Sequence, residues 1–97
     1  MRICVWVACV FVAGCATVTG TQADCFRANA RFTDAAACMR SEMNTLKWGS
    51  NAPLSMLADY ESYLNTTEAQ VRRGELSDER AKQRMQEYLV QLRNSYR

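Results

Sequence analysis

At 97 residues the chain holds one domain at most, and 48% hydrophobic residues with one proline and four glycines make it too apolar and too poor in breakers for a disordered polymer. Its net charge of +2 comes from acidic and basic residues interspersed along the sequence, which leaves no nucleic-acid footprint. Histidine is absent, so the commonest general base and metal ligand is missing, and catalysis would have to rest on carboxylates, tyrosine or cysteine.

Met1 and Arg2 open the chain with one positive charge, and Ile3 to Ala13 (ICVWVACVFVA) is an apolar run of eleven residues. That length suits the hydrophobic region of a secretory signal, whereas a membrane-spanning helix needs about 20 apolar residues. The run closes on Val12-Ala13-Gly14-Cys15, an aliphatic residue and two small ones ahead of a cysteine. This tetrapeptide resembles the lipobox of bacterial lipoproteins, a resemblance that covers residues 1 to 15. It implies a signal peptide over 1–14, cleavage between Gly14 and Cys15, and a covalent lipid on the Cys15 sulfur with no other cofactor. Ala16 in place of an aspartate implies, for a host with two membranes, sorting to the outer membrane with the domain facing the periplasm. Other readings stay open at this point: a conventional signal cut downstream, for example after Ala23, and a buried core helix or an uncleaved anchor that happens to contain Cys15, as the same stretch contains Cys4 and Cys9.

Acyl chains bury methylenes at about 0.8 kcal/mol each, and more than one chain makes the attachment stable. Ala16 to Thr21 (ATVTGT) reads as a tether between the lipid and a domain over 22–97. Six extended residues reach about 20 Å, so the domain is expected to work near the bilayer.

Processing would discard Cys4 and Cys9 and assign Cys15 to lipid, leaving Cys25 and Cys38 as a pair in an oxidising compartment. In one unbroken helix these two would lie about 20 Å apart along the axis, at 1.5 Å per residue. A disulfide needs Cα atoms within about 7 Å, so a bond predicts a break between them. Asn29 can end one helix and Thr33 or Asp34 can N-cap the next, with the hairpin turning near Arg31-Phe32. The competing picture is a single long helix with two free thiols, because Phe32, Met39, Met43 and Leu46 keep a three-four spacing throughout. We adopt the disulfide, since closing a loop of about 14 residues contributes about 3 kcal/mol to a domain with little core.

Lys47 to Pro53 (KWGSNAP) is the clearest linker, with Gly49 as a helix stop, Ser50 or Asn51 as an N-cap and Pro53 in the first turn of a new helix. Leu54, Leu57, Tyr60, Leu64, Thr67 and Val71 then recur at three and four, and Met56 and Tyr63 widen the stripe. Arg72 and Arg73 complement the C-terminal dipole and Gly74 ends the helix. Ser77 is the next N-cap, with Leu76 placed to staple against Ala81 and Asp78 placed to pair with Lys82 on the solvent side. Ala81, Met85, Tyr88, Leu89, Leu92 and Tyr96 trace one apolar face to the end. With no alternating β-branched run in the mature chain, the expected fold is all-α, a small antiparallel bundle of helical hairpins following a cleaved signal helix.

Neighbouring carboxylates such as Asp59 and Glu61, or Glu75, Asp78 and Glu79, read as helix-dipole and solubility residues rather than acid/base pairs, and no metal cluster, phosphate loop or nucleophile elbow is found. Asn65-Thr66-Thr67 matches a glycosylation sequon inside a predicted helix, where it reads as accidental. Trp48, with Arg40 and Lys47 nearby, is a candidate contact with the membrane interface or a partner, against the plainer role of covering the core at a helix end. Tyr60, Tyr63, Tyr88 and Tyr96 are a second candidate contact surface, against the plainer role of core. The expected function is therefore a membrane-anchored, non-enzymatic binding or accessory module for an envelope protein. The alternatives are a self-associating structural envelope lipoprotein or an exclusion or lysis lipoprotein of a phage or mobile element.

Overall fold

Four apolar stripes at helical spacing decide the architecture. The computed structural model describes residues 13–49 and 52–96, the side chains of 13–16, 48 and 49 excepted. Among the described residues there are four α-helices: α1 (Ala13–Ala28), α2 (Phe32–Gly49), α3 (Leu54–Arg72) and α4 (Asp78–Ser95). Successive helices pack on one another, and lighter contacts join α4 to α1 and α2. The pairing is antiparallel, as Cys25 opposite Cys38, Arg40 opposite Asn65 and Tyr63 opposite Tyr88 show. The fold is thus the small all-α bundle that the periodicity predicts.

Each helix contributes one buried face. Val18, Gln22, Cys25 and Phe26 come from α1, and Phe32, Ala35, Ala36, Met39, Met43 and Leu46 from α2. Met56, Leu57, Tyr60, Leu64, Thr67 and Glu68 face inward from α3, and Ala81, Met85, Leu89 and Leu92 from α4. The stripe on α3 is buried at Leu57, Tyr60, Leu64 and Thr67, as its spacing predicts, and departs from that spacing at its ends. Leu54, in the first turn, is 61% exposed while Met56 is fully buried, so the core begins two residues later than the three-four count suggests.

The stretch expected to act as an extended tether is helix. Ala16 to Thr21 lies within α1, Val18 is fully buried, and the Thr21 hydroxyl donates to the Thr17 carbonyl at 2.8 Å. Burial at 18, 22, 25 and 26 gives this segment a core-facing stripe, which outweighs the weak helix preference of its threonines and glycine. Six helical residues advance about 9 Å, less than half the extended reach.

The break in the cysteine hairpin comes at Asn29, whose side-chain amide donates to the Cys25 carbonyl at 2.9 Å. Thr33 and Asp34 are not N-caps, because α2 has already begun at Phe32. The free Phe32 N–H donates instead to Asp78 Oδ1 at 2.9 Å, a carboxylate supplied by α4. Lys82, one turn further along α4, donates from Nζ to the Phe26 and Asn29 carbonyls at 3.1 and 2.7 Å. Asp78 and Lys82 therefore do not pair with each other across solvent; the anion meets the positive end of α2 and the cation meets the negative end of α1.

Ser50 and Asn51 lie outside the described residues, and Pro53 occupies the N-cap position of α3, its carbonyl accepting from the Leu57 N–H at 3.1 Å. At the other end of α3, Gly74 has φ +77°, and the N–H groups of Gly74 and Glu75 donate to the Val71 and Gln70 carbonyls. This is a Schellman ending, which needs the left-handed backbone that glycine supplies. Ser77 caps α4 as expected, its hydroxyl accepting from the Arg80 N–H at 3.1 Å.

Candidate functional site

Cys15 stands in the first turn of α1, with Ala13 and Gly14 on the same helix; the side chains of all three, and residues 1–12 of the leader, lie outside the described residues. From Thr17 onward the helix is tied to the bundle. Val18 is in the core, and the Gln22 side-chain oxygen accepts from the Tyr60 hydroxyl, both groups being buried. Ala16 and Thr17 separate Cys15 from Val18, the first core residue described.

Cys25 and Cys38 form a disulfide with Cα atoms 5.7 Å apart. The bond joins α1 to α2, one turn before the hairpin bend on α1 and nearly two turns after it on α2. Thr21, Asp24, Cys25, Cys38 and Glu42 line a small surface depression beside it.

The tyrosines divide between core and surface. Tyr60 is fully buried, and burial pushes its phenol pKa up, so it serves the interior and not a contact surface. Tyr63 and Tyr88 stack across α3 and α4 with ring centroids 3.9 Å apart and planes at 10°, each ring half-buried. Tyr96 donates from its hydroxyl to Asp59 Oδ2 at 2.8 Å, and the Tyr88 hydroxyl reaches the Asp59 carbonyl at 3.4 Å. Burial, then the negative charge of Asp59, raises the Tyr88 pKa. The result is a half-buried aromatic strip along the α3–α4 seam, the part of the expected tyrosine surface that remains accessible.

The Trp48 side chain lies outside the described residues. Arg40 donates to Asn65 Oδ1 and to Glu68, and Arg72 donates to Glu68 Oε2 at 3.0 Å. The Glu68 carboxylate is buried between the two guanidinium groups, 5% exposed as a residue. Burial works to raise its pKa, but the hydrogen bonds and charges of Arg40 and Arg72 outweigh it and hold the carboxyl below its ordinary value of 4.5. Sequence reasoning missed this residue; the available signal was Arg72 four positions ahead on a face already carrying Leu64 and Thr67. Asn65, the sequon position, lies within α3 with its side chain engaged by Arg40.

The carboxylates considered as acid/base groups are dispersed. Asp59 serves Tyr96, Glu75 pairs with Arg73 at 2.7 Å, and Asp78 caps α2. Among the described residues no group of three or more histidine, cysteine, aspartate or glutamate side chains is placed to hold a metal ion, and no helix is long and apolar enough to cross a membrane. No protein-family model, curated protein or solved structure matches the chain.

Proposed function

We propose that the chain is a small lipoprotein precursor whose mature form, starting at a lipid-bearing Cys15, is a non-enzymatic binding or accessory module of the bacterial envelope. The observation that carries this reading is the order Val12-Ala13-Gly14-Cys15 at the end of an eleven-residue apolar run. The Cys25–Cys38 bond supports it, because disulfides persist in the oxidising compartments to which a secretory signal delivers a chain.

Packing supports the earlier of the two cleavage sites. A cut after Ala23 would strip Val18 and Gln22 from the core and leave the buried Tyr60 hydroxyl without its acceptor. A cut before Cys15 keeps both. With Ala16 next to the anchor, outer-membrane sorting toward the periplasm is the proposed destination. The stacked Tyr63 and Tyr88 are the proposed contact for a protein partner, joining apolar area to polar tips.

The experiment is intact mass of the membrane-extracted protein, wild type against Cys15→Ser, with and without reductant. The wild type is expected to lack residues 1–14, to carry added acyl mass, and to gain two hydrogens on reduction. Cys15→Ser is expected to keep its leader. A wild-type product beginning after residue 15, or one without acyl mass, refutes the proposal.

A further inference from the structure

The antiparallel order gathers four helix termini at the end of the bundle where α1 begins: the start of α1, the end of α2, the start of α3 and the end of α4. The sequence treats that end differently from the rest. Residues 13–23, 43–58 and 88–97 contain no aspartate or glutamate, so all ten carboxylates lie in 24–42 and 59–87. The described cations in these stretches are Lys47 and Arg93. Lys47 and Arg93 are exposed, and so is Leu54, the most exposed large hydrophobic residue described. Asp59, the nearest carboxylate on α3, is occupied by the Tyr96 hydroxyl.

Cys15 sits on this end, and its spacing to the core leaves little play. Ala16 and Thr17 alone intervene before the buried Val18, and even fully extended they give about 10 Å of reach. A domain of this length on so short a connection cannot tumble freely over a surface. Positive charge, an apolar tip and the absence of carboxylates are what an anionic lipid surface attracts.

We infer, resting on the lipid attachment proposed above, that the anchor seats this end of the bundle, with Lys47, Leu54 and Arg93, directly against an anionic bilayer. The α1–α2 and α3–α4 turns then point away from the membrane. The helices act as a fixed-height post: α3, at 19 residues, sets its far end about 28 Å from its near end.

The test uses the full-length acylated protein in vesicles of zwitterionic and anionic phospholipid that carry a headgroup nitroxide quencher. An environment-sensitive fluorophore is placed at Leu54→Cys in one sample and at Glu79→Cys, in the opposite end, in another; both sites are at the surface, so the core is untouched. Quenching is expected to be severalfold stronger at position 54 than at 79. The difference is expected to shrink when Lys47 and Arg93 are both replaced by glutamate or when a flexible Gly-Ser segment is inserted after Ala16. Equal quenching at both positions in a sample whose mass shows the acyl groups overturns this orientation and leaves the lipoprotein reading standing; so does a position 54 that stays unquenched because a protein covers it. A sample without acyl mass removes both.

Discussion

Glu68 is a carboxylate under two guanidinium groups, and its protonation is therefore tied to the folded state. Its folded pKa lies below the ordinary 4.5, so the unfolded chain binds the proton more readily. The stabilisation is complete above about 4.5 and is lost as pH falls through the lowered folded value. Thermal melts between pH 7 and 3 are expected to show a steeper acid loss for wild type than for Glu68→Gln, which lacks this titration. Tyr60 and Gln22 make a second buried pair. Tyr60→Phe leaves the amide oxygen without its donor and is expected to cost about 1–2 kcal/mol in urea unfolding, with part recovered when Gln22→Leu is added. Neither pair was read in advance, because Gln22 opens the expected domain directly after the tether and Glu68 is formally a surface residue type. Burial of a polar group depends on a partner from another helix, and spacing along one helix does not reveal that partner.

Helix ends show both what local sequence specifies and where it stops. Gly74 and Ser77 were legible because their demands are local, a left-handed backbone and a side-chain oxygen three residues before an orphan amide. Gly74→Ala would meet no neighbouring atom within 4 Å, so its expected cost of about 1 kcal/mol comes from the backbone angle alone. A shift of the urea midpoint with unchanged slope would record it. The Asp78 and Lys82 spacing was equally visible but misassigned, since four residues on a helix mimic a local ion pair. Their real partners are 46 and 53–56 positions away. Asp78→Ala is expected to cost about 1 kcal/mol by baring the first amide of α2, and hydrogen exchange is expected to quicken at Phe32 rather than along α4.

The bundle as assembled is small, and the Cys25–Cys38 crosslink matters accordingly. Reduction of Cys25–Cys38, or the double substitution Cys25→Ala with Cys38→Ala, is expected to cost about 3 kcal/mol, measured as the fall in unfolding free energy in urea. The core positions of α2, α3 and α4 followed largely from periodicity, because an amphipathic helix must bury its stripe whatever it packs against, whereas the break between α1 and α2 followed from the short distance a disulfide spans. The candidate anchor was legible for another reason, a contiguous run of residue types, while the end-loaded charge pattern emerged only once antiparallel order brought distant segments together. That order also governs how the fold can be completed. The hairpin made by α1 and α2 leaves a ribosome first, yet the ammonium and carboxylate that close its bend belong to the last helix. Until residue 82 emerges, the opening turn keeps bare amides and carbonyls in water, so the chain's earliest corner is the one finished last.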